Sequence, residues 1–247
     1  MKENPYDNEE FFEAYKNFPR SVEGLQAAGE WHEFRKMLPD LKNKRVLDIG
    51  CGFGWHCIYA AECGAAYVLG TDISEKMLAV AKEKTEFVNV EYRCAAMEEI
   101  RFPANSFDVV ISSLALHYTS DFMSICTRVN QCLASGGSFI FSVEHPVFTA
   151  SGKQDWNYDD KGNRDHWPVD SYFTEGKRNT VFLGQQVTKY HKTLTTYVNA
   201  LLQNGFTIQG IVEPKPAEAL LETVPGMQDE LRRPMMLLFS VKKQHNK

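Results

Sequence analysis

The sequence predicts an α/β fold, with a parallel sheet covered by helices on both faces, and three observations carry that prediction. From Lys44 to Val143, short apolar runs alternate with stretches of helical periodicity. Directly behind the first apolar run, in RVLDIGCGFG, stand Gly50, Gly52 and Gly54. Glycine is costly in ordered backbone unless a tight turn or a close ligand requires it. The second run ends in an acid, Asp72, 22 positions after Gly50.

The first forty-three residues are rich in aromatics (Phe11, Phe12, Tyr15, Phe18, Trp31, Phe34) and read as a helical leader, residues 1–43. Residues 46–49 form a strand, and 55–63 a helix that Gly64 ends. Residues 67–71 form the second strand. Ser74 caps a helix reaching about residue 84, with Glu75 in its first turn. Residues 88–93 and 107–112 are the third and fourth strands. Phe122, Ile125, Val129 and Leu133 recur at helical spacing before Gly136 and Gly137, expected to stop that helix, and 138–143 is a fifth strand.

The alternation then breaks. Residues 144–192 are polar and aromatic, with Phe148, Trp156, Tyr158, Trp167, Tyr172, Phe173 and Phe182. A loop of that length predicts a lid or a binding insertion, its aromatics either capping an acceptor or packing on one another. Leu194, Tyr197, Val198, Leu201 and Leu202 mark one face of a later helix, and 206–212 and 236–241 are the last strands. Residues 1–247 then make a single domain with a helical leader and an insertion after strand five.

Composition narrows the function. Hydrophobic residues at 43% and charged residues at 24% of 247 suit a globular protein. No apolar run is long enough to predict a membrane span, and the opening Met1-Lys2-Glu3-Asn4-Pro5 lacks the core of a secretory signal. A net charge of −5 with scattered Lys and Arg argues against nucleic acid as the partner. Six cysteines form no C-x-x-C or zinc spacing, so no metal is expected, and they read as reduced residues of a cytoplasmic protein. Oligomeric state is not legible.

In doubly wound sheets ligands bind at the carboxyl ends of the strands, where the glycine turn and Asp72 fall. A carboxylate there meets the two hydroxyls of an adenosine ribose. A dinucleotide turn needs G-x-G-x-x-G, but the third position counted from Gly50 is the bulky Trp55. Asp48, inside the strand end, would repel a pyrophosphate yet tolerates an ammonium and a sulfonium. The residues favour S-adenosylmethionine over NAD.

The segments VLDIGCGFG and VLGTDIS, followed by FDVV and SSLALHY, resemble the motifs of class I S-adenosylmethionine-dependent methyltransferases of the small-molecule type. The resemblance runs from about Arg45 to Val143. The leader PRSVEGLQAAGEW and the tail KYHKTLTTYVNALLQNGF are similar to a bacterial subgroup. It implies a Rossmann-like, doubly wound seven-stranded sheet with the last strand antiparallel. It further implies that Gly50 and Gly52 lie under the methionine part, with Cys51, Gly54 and Ser113 also among the cofactor-binding residues. Asp72 would hold the ribose, and Ile73 would pack on adenine. Ala96 stands where many relatives carry an aspartate to the adenine amino group, leaving the Met97 N–H and Glu98 to serve it.

Methyl transfer from a sulfonium is an in-line displacement whose leaving thioether needs no proton, so positioning supplies much of the rate. A hydroxyl or acidic carbon acceptor would need a base. Candidates are His117 and His145 after strands four and five, with His191 a weaker one. His56 lines the cofactor entrance or packs internally. Arg20 pairs the methionine carboxylate or is a solvated surface residue. Asp48 and Asp72 read as functional, because a buried strand-end carboxylate is expensive without a partner. The expected partner is a small-molecule acceptor. The alternatives are an S-adenosylmethionine-binding protein without transferase activity, an RNA or protein methyltransferase, and an NAD-dependent oxidoreductase.

Overall fold

A computed structural model describes residues 4–244 of the chain. The leader carries α1 (Glu9–Lys16), α2 (Pro19–Glu23) and α3 (Trp31–Met37). The alternating region follows as β1 (Arg45–Ile49), α4 (Trp55–Glu62), β2 (Tyr67–Asp72), α5 (Glu75–Lys84), β3 (Val90–Cys94), β4 (Phe107–Ser113), α6 (Phe122–Cys132) and β5 (Leu133–Glu144). The insertion holds α7 (Pro146–Thr149), β6 (Asn157–Tyr158), β7 (Arg164–His166), β8 (Gly176–Phe182) and β9 (Gln185–His191). The chain closes with α8 (Leu194–Gln203), β10 (Phe206–Val212), α9 (Glu218–Thr223) and β11 (Met236–Lys243).

Seven strands form one sheet in the order β10-β11-β5-β4-β1-β2-β3, with β11 antiparallel to both neighbours and the other pairs parallel. Alternate residues of each strand serve opposite faces. Leu47, Ile49, Val110 and Phe141 pack against Phe122, Ile125 and Val129 of α6 and Tyr197 and Leu201 of α8. Val46, Val68, Val109 and Ile111 pack instead with Trp31, Phe34, Cys57, Ala60 and Leu78. The order reverses between β1 and β4, and that switch point opens a crevice at the strands' carboxyl ends. Among the described residues no helix is long and apolar enough to cross a membrane.

Three expectations are corrected. Gly136 and Gly137 do not stop α6; the helix ends at Cys132, and both glycines lie inside β5, where the pairing with β4 shifts register. The third strand begins at Val90, because Val90 N–H first turns back to the Phe87 carbonyl. Residues 144–192 are not one loop but carry α7 and two hairpins, β6–β7 and β8–β9. Leu183 and Gly184 both take positive φ in the two-residue turn of β8–β9, which matches the twist of its strands.

Candidate functional site

A cavity of about 1110 Å³ opens at the switch point and runs under the leader to the insertion and the β10–β11 connection. Its floor is the glycine turn. Gly50 (φ +73°) has no room for a side chain, since a Cβ would run into that of Ala115. Gly52 (φ +53°) would direct a Cβ into open space, so its backbone is bare toward the cavity. Gly54 begins α4 in a left-handed conformation beneath the Tyr92 hydroxyl and does not line the cavity. The glycine is required there by Tyr92 packing, which corrects its expected place among the cofactor contacts.

At this sheet end the Asp72 carboxylate accepts from Gly52 N–H and Ser74 N–H, both at 2.9 Å, which fixes its orientation. Burial raises its pKa against the pull of those hydrogen bonds. Arg20 donates to Glu30 at 2.8 Å and to the Ser113 hydroxyl at 2.7 Å. Glu30 is 1% exposed, and its Oε2 has no partner. Ile73, Ala96, Met97 and Glu98 line the adjoining wall. Asp48 lies behind the turn rather than on the cavity, with Oδ2 3.5 Å from Cys57 Sγ and Oδ1 unpartnered. Burial pushes its pKa up to about 7.

The insertion end is different. Lys189 on β9 meets the Glu144 carboxylate at 2.5 Å and Gln154 at 3.0 Å, and Gln154 donates back to Glu144 at 2.8 Å. His117 lines the cavity with Nδ1 facing Glu144 N–H at 3.5 Å, and burial lowers its pKa to about 4. The Tyr6 and Tyr118 hydroxyls are 3.1 Å apart, which ties the leader to the segment after β4. Asp7 holds the leader down from the other side, accepting from the Ser74 hydroxyl at 2.6 Å.

A family model described as a methyltransferase domain matches residues 47–141. A Listeria monocytogenes structure, provisionally described as an S-adenosylmethionine-dependent methyltransferase, is 59% identical, with a TM-score of 0.86 over 90% of this chain and 100% of that one. An S-adenosylmethionine-dependent methyltransferase from Mesorhizobium loti is 44% identical, with a TM-score of 0.83 over 89% of this chain and all of that one. The chain belongs to the class I S-adenosylmethionine-dependent methyltransferases. A demethylmenaquinone methyltransferase from Listeria welshimeri is 36% identical over 123 residues, 47% of this chain and 52% of that enzyme. S-adenosylmethionine is the methyltransferase's cofactor, which removes the nicotinamide alternative.

Of the residues singled out in the sequence, the methyltransferase brings Arg20, Gly50, Cys51, Gly52, Asp72, Ile73, Ala96, Met97, Glu98, Ser113 and His117 to one cavity. His145 is not among them. Its Nδ1 caps α7 through Val147 N–H at 3.0 Å, and its Nε2 meets Glu213 at 2.8 Å, so both ring nitrogens are engaged elsewhere. His191 is likewise held between the Thr149 hydroxyl and the Tyr172 carbonyl. His56 lines the cavity and packs on Trp31 and Phe34. Of the insertion's aromatics only Phe182 was both foreseen and on the cavity; Phe148, Trp156 and Trp167 surround the Arg233 guanidinium. Sequence reading missed Tyr6, Glu30, Glu144 and Lys189. A lone acid before the aromatic Trp31–Met37 helix was the one available signal for Glu30.

Proposed function

We propose that the protein moves the methyl group of S-adenosylmethionine to a small-molecule acceptor bound at the insertion end. The observation that carries this reading is one continuous cavity of about 1110 Å³. Pockets for a single drug-sized ligand enclose roughly 300–1,000 Å³, so this larger space suits a cofactor and an acceptor together. The likeness to a demethylmenaquinone methyltransferase supports a small acceptor without naming it, since it spans about half of that enzyme. The net charge of −5 speaks against nucleic acid, and the free cysteines fit a reducing, cytoplasmic setting.

The residues at the sheet end fit the cofactor. Arg20 takes the methionine carboxylate, and the unpartnered Oε2 of Glu30 takes the ammonium. The bare backbone of Gly52, with Gly50 and Cys51, lies under the methionine chain. Asp72, already oriented by two backbone N–H groups, accepts from the ribose hydroxyls. Ile73 packs on adenine, and the Ala96–Glu98 backbone borders it. Bound there, the cofactor supplies a methyl carbon on a positively charged sulfur. The leader and the β8–β9 hairpin join where Phe182 meets Phe11 and Phe18 and exclude water from the reacting end.

Calorimetric titration with S-adenosylhomocysteine tests this, run beside Asp72→Ala and an NAD control. We expect binding that Asp72→Ala weakens at least tenfold, and none to NAD. A protein that binds neither S-adenosylhomocysteine nor S-adenosylmethionine would sink the reading.

A further inference from the structure

We propose that Tyr6, Tyr15 and Tyr118 form a box for the positive sulfur of S-adenosylmethionine, through which the leader grips the methyl donor more tightly than its demethylated product. This rests on the cofactor placement proposed above and adds to it the groups that meet the charge on sulfur.

The covalent structure of the cofactor fixes where that charge must lie. Sulfur joins the methionine chain to the ribose, so with the carboxylate at Arg20 and the ribose at Asp72 it falls between those two residues. Tyr15 stands there: it lines the cavity, and its hydroxyl is close enough to Arg20 and to Asp72 to feel both charges. Tyr6 lines the same stretch, feels Asp72, and packs on Tyr15 with ring centroids 5.3 Å apart and planes at 87°. Tyr118 lines the cavity from the segment after β4 and faces Tyr6 at 6.2 Å and 85°, the two hydroxyls being 3.1 Å apart. Rings at right angles make the sides of a box, where parallel rings would close on each other as a stack.

The face of an aromatic ring is negative and attracts a cation within about 6 Å of its centre. In the insertion that attraction is already taken up by the protein's own side chains. The Arg233 guanidinium lies 4.2 Å from the Trp167 ring and 4.8 Å from that of Phe148, and Lys189 lies 5.4 Å from that of Phe182. Tyr6, Tyr15 and Tyr118 instead meet other rings, and Arg20, whose charge reaches Tyr15, is held by Glu30 and Ser113. Burial raises the pKa of all three phenols, so at physiological pH they are neutral and act through their faces. The cation that completes them is the one the cofactor brings.

Two of these rings belong to the leader and one to the body. Beside them Asp7 fastens the leader to the start of α5, accepting from the Ser74 hydroxyl at 2.6 Å and from Lys76 N–H at 3.3 Å. A cation seated among Tyr6, Tyr15 and Tyr118 is a further tie between leader and body. S-adenosylhomocysteine carries no charge on sulfur and lacks that tie. Coupling is reciprocal: the factor by which the closed leader favours the donor is the factor by which the donor favours closure. The product therefore leaves from beneath a looser leader.

The test titrates the full-length protein calorimetrically with S-adenosylmethionine, S-adenosylhomocysteine and sinefungin, an analogue with a charged amine in place of the methyl group. The two cationic ligands should bind about twofold to thirtyfold more tightly than S-adenosylhomocysteine. Tyr6→Leu on the leader and, separately, Tyr118→Leu on the body should each reduce that preference at least twofold. Tyr6→Phe loses the hydroxyl contact but keeps the ring, and should retain it. Asp48, Glu30 and Asp72 remain in every variant, so a change in the preference reports the rings. Amide hydrogen exchange across α1 should be slower with S-adenosylmethionine than with S-adenosylhomocysteine in wild type, and alike with both in Tyr6→Leu. A preference unchanged in both leucine variants, one lost equally in Tyr6→Phe, or exchange in wild type that ignores the charge on sulfur would overturn the box alone. A wild type that binds none of the three ligands would bring down the function proposed above as well.

Discussion

At the sheet end of the cavity Glu30 Oε2 is buried with no partner, and Asp48 Oδ1 is unpartnered behind the turn, whereas at the insertion end Lys189, Glu144 and Gln154 satisfy one another. The same cavity thus has a buried carboxylate oxygen unmet at one end and a buried ion pair matched within the protein at the other. An unmet buried atom costs free energy in the empty protein and returns it when a complementary group arrives. The sheet end is therefore ready for a ligand that brings charge, whereas at the insertion end the Lys189–Glu144 pair is already matched within the protein. Three experiments break or sharpen that contrast.

The largest effect should come from making the insertion end resemble the sheet end. Lys189→Met strands the Glu144 carboxylate, whose side chain is only 15% exposed. Breaking one partner of a buried pair typically costs about 3–5 kcal/mol, which urea denaturation at pH 7 would read. Glu144→Gln combined with Lys189→Met should recover most of it. Burial pushes the Glu144 pKa up, but His117, Lys189 and the hydrogen bonds outweigh it and hold it below the ordinary 4.5. The folded state thus gives up this proton more readily than the unfolded one. The stability it contributes is complete above pH 4.5 and fades as the pH falls through the depressed value. The deficit of Lys189→Met should shrink along with it. An undiminished stability in the single variant at pH 7 would mean that the pair is not what satisfies this end.

The next effect makes the sheet end resemble the insertion end. Glu30→Gln removes the carboxylate awaiting the ammonium while leaving a side chain of the same size beside Arg20. Hydrogen bonds to charged groups contribute about 1.5–3 kcal/mol, so S-adenosylhomocysteine should bind roughly ten- to a hundredfold more weakly. A desamino analogue should bind wild type and variant alike. Equal losses for both ligands would show that Glu30 acts only by positioning Arg20.

How much of this was readable in the sequence follows the same divide. The sheet end lies on β1, β2 and β4, where apolar runs, the glycine turn and Asp72 are local in the chain and their order carries the meaning. The insertion end is assembled from segments far apart. Glu144 ends β5, Lys189 lies 45 residues on in β9, and the cavity-lining Leu220 and Met227 follow β10. In sequence each looks like a solvated charge or a scattered hydrophobe. The strand β8 was hidden for a related reason, since Thr180 is its one buried residue and its alternation is nearly all polar. His145 looked like a base because it follows a strand, but its role in capping α7 depends on Glu213, 68 residues away.

The smallest effect concerns Asp48, the acid that sits behind the glycine turn without touching the cavity. Burial raises its pKa to about 7, with Asp72 adding to the rise while Cys57 and Arg20 oppose it. The folded protein therefore holds a proton that the unfolded chain, with an ordinary value of 3.8, has already released. The corresponding stability is complete below pH 3.8 and is lost progressively up to about pH 7, beyond which the loss is constant. Asp48→Asn keeps the shape and removes the titration. The variant's melting temperature should draw ahead of wild type as pH rises through that window and level off above it. In a chain of this size each 2–4 °C of lead at pH 8 would correspond to roughly 1 kcal/mol. Because the difference between the two proteins cancels groups they share, the histidines that titrate nearby do not obscure it. The same substitution should weaken S-adenosylmethionine more than S-adenosylhomocysteine at pH 8, since only the former brings a positive sulfur to a site backed by an ionised Asp48. A melting difference that ignores pH would mean that Asp48 is ionised throughout. The sheet end would then hold a fixed charge in place of an unmet one.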